Sequence, residues 1–234
     1  MADYRTHVTV SGCLGVGYGV AASWACGFTP VQGALAGCLT GFAGMLPDLD
    51  SQTGRPVREI FGLTAALVPM LALRRLLHWG GDLETAMLLA TLMYVVIRYG
   101  AGWLLGKVAV HRGMFHSIPA LLIAAELAFL AYHSPSIITR LLMALGVAIG
   151  FGSHLVLDEI YSVEWSGIRV KLKSSAGSAM KFFGGSWLAN IAAYTLLLAL
   201  SYAVLVDGGV LRHFGKAKES DALKHAVEQV IPRR

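Results

Sequence analysis

The hydrophobic positions of this chain fall in long runs from which charge is absent. No Asp, Glu, Lys or Arg occurs from Thr6 to Pro47, nor from Phe182 to Val206. The first run has room for two membrane spans of about 20 residues each and the second for one. Seven apolar segments follow from this pattern: Val8 to Ala25, Val31 to Leu46, Ile60 to Leu77, Thr85 to Leu105, Ile118 to Tyr132, Ile137 to Leu157 and Trp187 to Val206. The second and fifth are short for a hydrocarbon core of about 30 Å. They are expected to be tilted, broken or partly re-entrant, and the helix count then runs from five to seven. The fold class predicted is all-α, a polytopic helical membrane protein.

Punctuation along the chain supports these segments. Gly27 and Pro30 bracket a helix stop and restart, so the first two segments read as a retained hairpin. A cleavable signal peptide is disfavoured: only Arg5 precedes the first apolar run, which is rich in Gly and Ala and leads directly into a second. Gly33, Gly37 and Gly41 recur every four residues, as do Gly15 with Gly19 and Gly146 with Gly150. Such strips let helix backbones approach closely in lipid, where small residues mark helix interfaces. No phosphate-binding or dinucleotide glycine signature accompanies them.

Composition sharpens the class. Hydrophobic residues make up 56% of the chain and charged residues 14%, with mean hydropathy +0.62. That leaves too little charge to cover a soluble surface, which disfavours a disordered chain or a water-facing enzyme. Cys13, Cys26 and Cys38 lie in apolar runs without paired spacing and read as small packing residues. The net charge of +5 suits a protein beside anionic lipid and requires no nucleic acid. Residues 1–210 form the membrane domain. In 211–234, Ala222, Leu223, Ala226, Val227, Val230 and Ile231 share one helical face of a basic amphipathic tail.

Threading the seven segments back and forth sends His7, Asp48, Asp50, His111, His116, His154 and Asp158 to one side. Lys and Arg divide evenly between the two sides, so they do not orient the protein. Three polar elements build this set. In Gly44 to Asp50, GMLPDLD, an apolar helix meets Pro47, and Asp48 and Asp50 follow at spacing two. Either an extended segment or a tight turn brings such carboxylates to a hard or borderline metal ion. In His111 to Ser117, HRGMFHS, Gly113 permits a kink that converges two imidazoles, and the Arg112 fork suits a phosphate. In Ser153 to Glu159, SHLVLDE, His154 and Asp158 lie four apart on one helix face, with Glu159 turned about 100° away. Together with His7 this is the donor inventory of a two-metal centre. Zinc fits the histidines best, and manganese or iron remain open.

The TH start, PDLD, HRGMFHS and SHLVLD together resemble the YdjM-like family of bacterial inner-membrane proteins, described as membrane-bound metal-dependent hydrolases. The resemblance covers roughly residues 1–165. It implies a multi-pass protein of the inner (cytoplasmic) membrane. It also implies that His7, Asp48, Asp50, His111, His116, His154 and Asp158 hold metal. The order of elements is loosely similar to the helical zinc-dependent phospholipase C and nuclease enzymes, although His111 and His116 are five apart rather than four. That likeness favours phosphoesters.

The function expected is hydrolysis of a phosphoester of a lipid or lipid-linked substrate by metal-activated water, with one or two zinc ions. Arg112 would clamp the phosphate, and His116 or Glu159 would move protons. Membrane lipid is the expected partner. Two rivals stand beside this reading. Arg98 and Glu126 fall inside predicted spans, where they either line a transport path or satisfy each other. A metal held only for stability is the other.

Overall fold

The computed structural model describes residues 3–50, 55–101, 114–166, 169–172 and 180–209. The amphipathic tail, His111 and Arg112 lie outside the described residues. Among the described residues, seven α-helices fall in the seven apolar segments: α1 (Tyr4–Trp24), α2 (Pro30–Ala43), α3 (Arg55–Gly80), α4 (Leu83–Val95), α5 (Ile118–Ala131), α6 (Ile137–Ile160) and α7 (Trp187–Asp207). The all-helical fold class therefore holds. One small element was not foreseen, an antiparallel hairpin of β1 (Val163–Ser166) and β2 (Arg169–Leu172) after α6.

Helix starts are set by polar residues that satisfy the first exposed backbone N–H groups. Asp3 accepts from Thr6 N at 3.0 Å, and Asp82 from Thr85 N at 2.7 Å. Thr29 and Gln32 form a reciprocal capping box ahead of Pro30. Ser117, Ser136 and Ser186 cap α5, α6 and α7. The apolar segment from Val31 breaks earlier than its hydropathy suggests. α2 stops at Ala43, and a 3₁₀ turn over Leu46–Asp50 carries Pro47 and the two aspartates. This is the tight turn, not the extended alternative. α4 continues through a π-turn over Val96–Ala101.

Among the described residues, four helices are long and apolar enough to cross a membrane: α3 from Glu59 to Gly80, α4 with its π-turn from Leu83 to Gly100, α6 and α7. α2 and α5 have 14 residues each and rise only about 21 Å, short of the hydrocarbon core. α7 has no buried residue, and α4 buries only Ala86, so both helices present apolar surface.

The core is built on glycine. A Cβ placed on Gly37 would meet the Gly15 carbonyl oxygen at 2.5 Å, and one on Gly19 would meet that of Gly33 at 2.6 Å. α1 and α2 thus touch backbone to backbone. On the other face of α2, Gly150 of α6 lies against the Thr40 carbonyl and Gly146 against the Ala36 carbonyl. Tyr18 donates from α1 to the Leu142 carbonyl of α6 at 2.9 Å, closing the three-helix layer. Around it pack Ala36, Leu39, Ala43, Ala128, Leu142, Met143 and Val147. Of the two residues that suggested a transport path, Glu126 accepts from Ser201 Oγ across α5 and α7 at 2.6 Å, and Arg98 lies over the ring of Tyr99. They do not pair with each other.

Candidate metal centre

Five residues from four separate stretches converge where the tightly packed layer ends. α1 contributes His7 from its first turn, and the 3₁₀ turn contributes Asp48. His116 stands just before the Ser117 cap of α5. α6 contributes His154 and Asp158 from its last two turns. The 114–118 segment is held in place by an Ile118 N–H donated to the Lys181 carbonyl at 3.1 Å and by Met114 packed on Gly184.

The donor atoms face one another. His116 Nε2 lies 3.9 Å from Asp48 Oδ1 and 3.7 Å from Asp158 Oδ2. His154 Nε2 lies 3.7 Å from the same Asp48 oxygen and 3.6 Å from the same Asp158 oxygen. Asp158 turns its other oxygen, Oδ1, to His7 Nε2 at 3.2 Å. The His7 ring stacks on that of His154, with centroids 3.7 Å apart and planes at 11°. His7, His116, His154 and Asp158 are at most 3% exposed, whereas the Asp48 side chain is 29% exposed and forms the accessible edge.

One hydrogen bond fixes the chemistry of His154. Its Nδ1 lies 2.7 Å from the Gly44 carbonyl oxygen, which can only accept, so Nδ1 carries the proton. In the neutral ring Nε2 then presents a lone pair, and it has no hydrogen-bond partner among the described residues. That lone pair faces two carboxylate oxygens, an arrangement that is repulsive unless a cation lies between them. A proton on Nε2 would draw a carboxylate to roughly 2.7–2.9 Å. Two ligands of a tetrahedral ion with bonds of about 2.0–2.2 Å sit about 3.4 Å apart. The observed 3.6–3.9 Å separations fit the second geometry better.

The remaining sequence-predicted residues are placed differently. Asp50 ends the 3₁₀ turn, and its side chain, like His111 and Arg112, lies outside the described residues. The converging donors form two triads, His7–His154–Asp158 and Asp48–His116–His154, and the half-buried Glu159 belongs to neither. Structure adds participants the sequence did not single out. The Gly44 carbonyl orients His154, and a Cβ at Gly44 would collide with Ser11, whose hydroxyl donates to the Gly41 carbonyl at 2.9 Å. Burial, and then the carboxylates of Glu59 and Asp48, push the Tyr4 hydroxyl above its usual range. Gly44 opens the quoted GMLPDLD motif; nothing in the linear spacing marked Tyr4 or Glu59.

No curated protein and no solved structure is detectably similar to the chain. A family model does match, described as YdjM inner membrane protein, over residues 1–206, a range that contains every donor described above. With most of its length covered, apolar helices of spanning length and this match, the chain belongs to the YdjM inner membrane protein family.

Proposed function

We propose that this chain is a multi-pass inner-membrane hydrolase that holds one divalent metal ion and cleaves a phosphoester of a lipid or lipid-linked substrate. The observation that carries the reading is that the Nε2 atoms of His116 and His154 each lie 3.6–3.9 Å from one oxygen of Asp48 and one of Asp158. Zinc suits two imidazoles and two carboxylates, and manganese or iron would be accommodated by the same set. The two triads of converging donors share His154, which has only Nε2 to offer, so the described donors suit a single ion. A second ion would draw on Asp50 and His111.

When bound, the metal supplies a Lewis acid that brings the pKa of a coordinated water towards about 7. The protein groups do the rest. Gly44 holds the His154 ring with Nε2 turned inward, and His7 holds Asp158 by its Oδ1 so that Oδ2 faces the centre. Asp48 stands at the accessible edge where substrate enters. With His116 among the donors, Glu159 is the group left to move a proton, and Arg112 is the fork for the phosphate. Donors at the ends of apolar helices suit a substrate whose reacting group lies at the lipid headgroup level.

The experiment is metal analysis of the detergent-purified chain joined to a turnover assay on lipid phosphates. About one ion per chain and turnover lost in Asp48→Ala with the fold retained support the hydrolase. A metal held for stability alone is the second reading, favoured by a centre with three donors at most 3% exposed. It predicts an ion whose removal by chelator lowers Tm while no lipid phosphate is turned over by the loaded protein.

A further inference from the structure

A second set of ionisable groups occupies the opposite end of the bundle. Arg140, in the first turn of α6, precedes His154 by about 21 Å along the same helix. Its Nε and Nη2 both donate to the Phe129 carbonyl at 3.2 Å, and its guanidinium stacks 4.0 Å over the Phe129 ring. Nη2 also meets the carboxylate of Asp207, the last residue of α7. From α3, Arg75 grips that carboxylate with both Nη groups, at 3.2 and 2.7 Å. His78 of α3 stacks on His133 of the α5–α6 loop, with centroids 5.2 Å apart.

The charges here do not balance. The Arg140 and Arg75 side chains are 4% and 12% exposed, and among the described residues Asp207 is the one carboxylate either reaches. Among the described residues one cation is then left over in a largely buried place, which is costly without a counter-charge. Arg75 Nε and His133 Nδ1 are buried and make no hydrogen bond among the described residues. Burial, then Arg75, His78 and Arg140, push the His133 imidazole below its usual range, opposed by Asp207. The nearby turn offers no relief: Asp82 commits its two oxygens to Thr85 N and Oγ1 at 2.7 and 2.8 Å.

We propose that Arg75, Arg140, His78 and His133 form a binding site for a phosphate-type anion, supplied by the headgroup of an anionic lipid. A planar guanidinium fork matches phosphate oxygens. Trp79, 68% exposed and 5.7 Å from the Arg75 guanidinium carbon, is an aromatic of the kind that settles at the headgroup level. This site is independent of the hydrolase reading, because it shares no residue with the metal donors.

The test uses the full chain in neutral detergent, with thermal unfolding followed as phosphatidylglycerol, phosphatidylcholine or inorganic phosphate is added. Phosphatidylglycerol at about 100 times its Kd is expected to raise Tm by about 5–10 °C, and phosphatidylcholine to leave it unchanged. Arg75→Gln raises the half-saturating phosphatidylglycerol concentration about 10-fold or more. Asp207→Asn removes the competing carboxylate: it lowers Tm without lipid and tightens phosphatidylglycerol binding. A matching rise with inorganic phosphate supports the anion site with free phosphate as its source. Equal effects of the two lipids, unchanged half-saturation in Arg75→Gln, or weaker lipid binding in Asp207→Asn would each overturn the proposal.

Discussion

The sharpest prediction sets one substitution against itself at two places on α6. Gly150 and Gly152 are both helical, so Ala at either gains helix propensity of roughly 0.5–1 kcal/mol. Their surroundings differ. A Cβ at Gly150 would overlap the Thr40 carbonyl oxygen and lie 2.8 Å from the Thr40 carbonyl carbon and 3.1 Å from Ala43 Cβ. Carbon atoms pack at about 3.5–4.0 Å, so α2 and α6 must part by at least about 0.7 Å, and the first obstacle is backbone that cannot rotate away. Overpacking of this kind costs about 1–3 kcal/mol. A Cβ at Gly152 meets only Leu121 Cδ1 at 3.4 Å, an ordinary contact with the end of a side chain. The propensity gain is common to both and cancels in the comparison, so Gly150→Ala should be less stable than Gly152→Ala by about 1–3 kcal/mol, or on the order of 2–12 °C for a chain of this size, and Gly152→Ala should be neutral to stabilising. Tryptophan fluorescence during thermal unfolding in one detergent reads both. If the two variants melt together, or Gly152→Ala melts lower, backbone contact between α2 and α6 does not hold the fold.

Other consequences bear on the site and on its supports. His154→Ala removes the donor common to both triads, and metal content measured by emission spectrometry should fall from about one ion per chain to none. His7→Ala leaves Asp158 without its Nε2–H partner and should weaken metal affinity about 10–100-fold, whereas His7→Gln keeps a donor and should recover most of it; equal losses in a chelator competition would place His7 among the direct ligands instead. The Asp82 carboxyl is held below its usual value of 3.8, first by the Thr85 backbone N–H and then by the Thr85 hydroxyl. Its capping contribution is therefore complete above that value and lost as pH falls through the lower folded one. Asp82→Asn should flatten the acid limb of a stability profile below the usual carboxyl value of 3.8, and an unchanged limb would show that the cap is not felt.

Much of this protein is written locally. Long charge-free runs specify helices because lipid offers no partner for backbone groups, and each of the seven segments holds a helix among the described residues. Glycine every fourth residue marks one face of a helix, and those glycines are where α1, α2 and α6 touch. Spacing four on a helix brought His154 and Asp158 to one face, and their atoms stand 3.6 Å apart. Other features have no local signal. Whether the Asp48 segment is extended or turned depends on how α2 ends against α1 and α6, so two residues of sequence spacing left both alternatives open. The tautomer of His154 is set by the Gly44 carbonyl, 110 positions earlier, and the Asp207 clasp joins residues far apart in α3, α6 and α7. The sequence by itself pointed to the described helical stretches and to an end of the bundle shared by His7, Asp48, His116, His154 and Asp158, because helix periodicity and lipid solvation act residue by residue. Only the tertiary structure decided which oxygen faces which nitrogen, because that depends on the close backbone-to-backbone packing of helices that glycine allows.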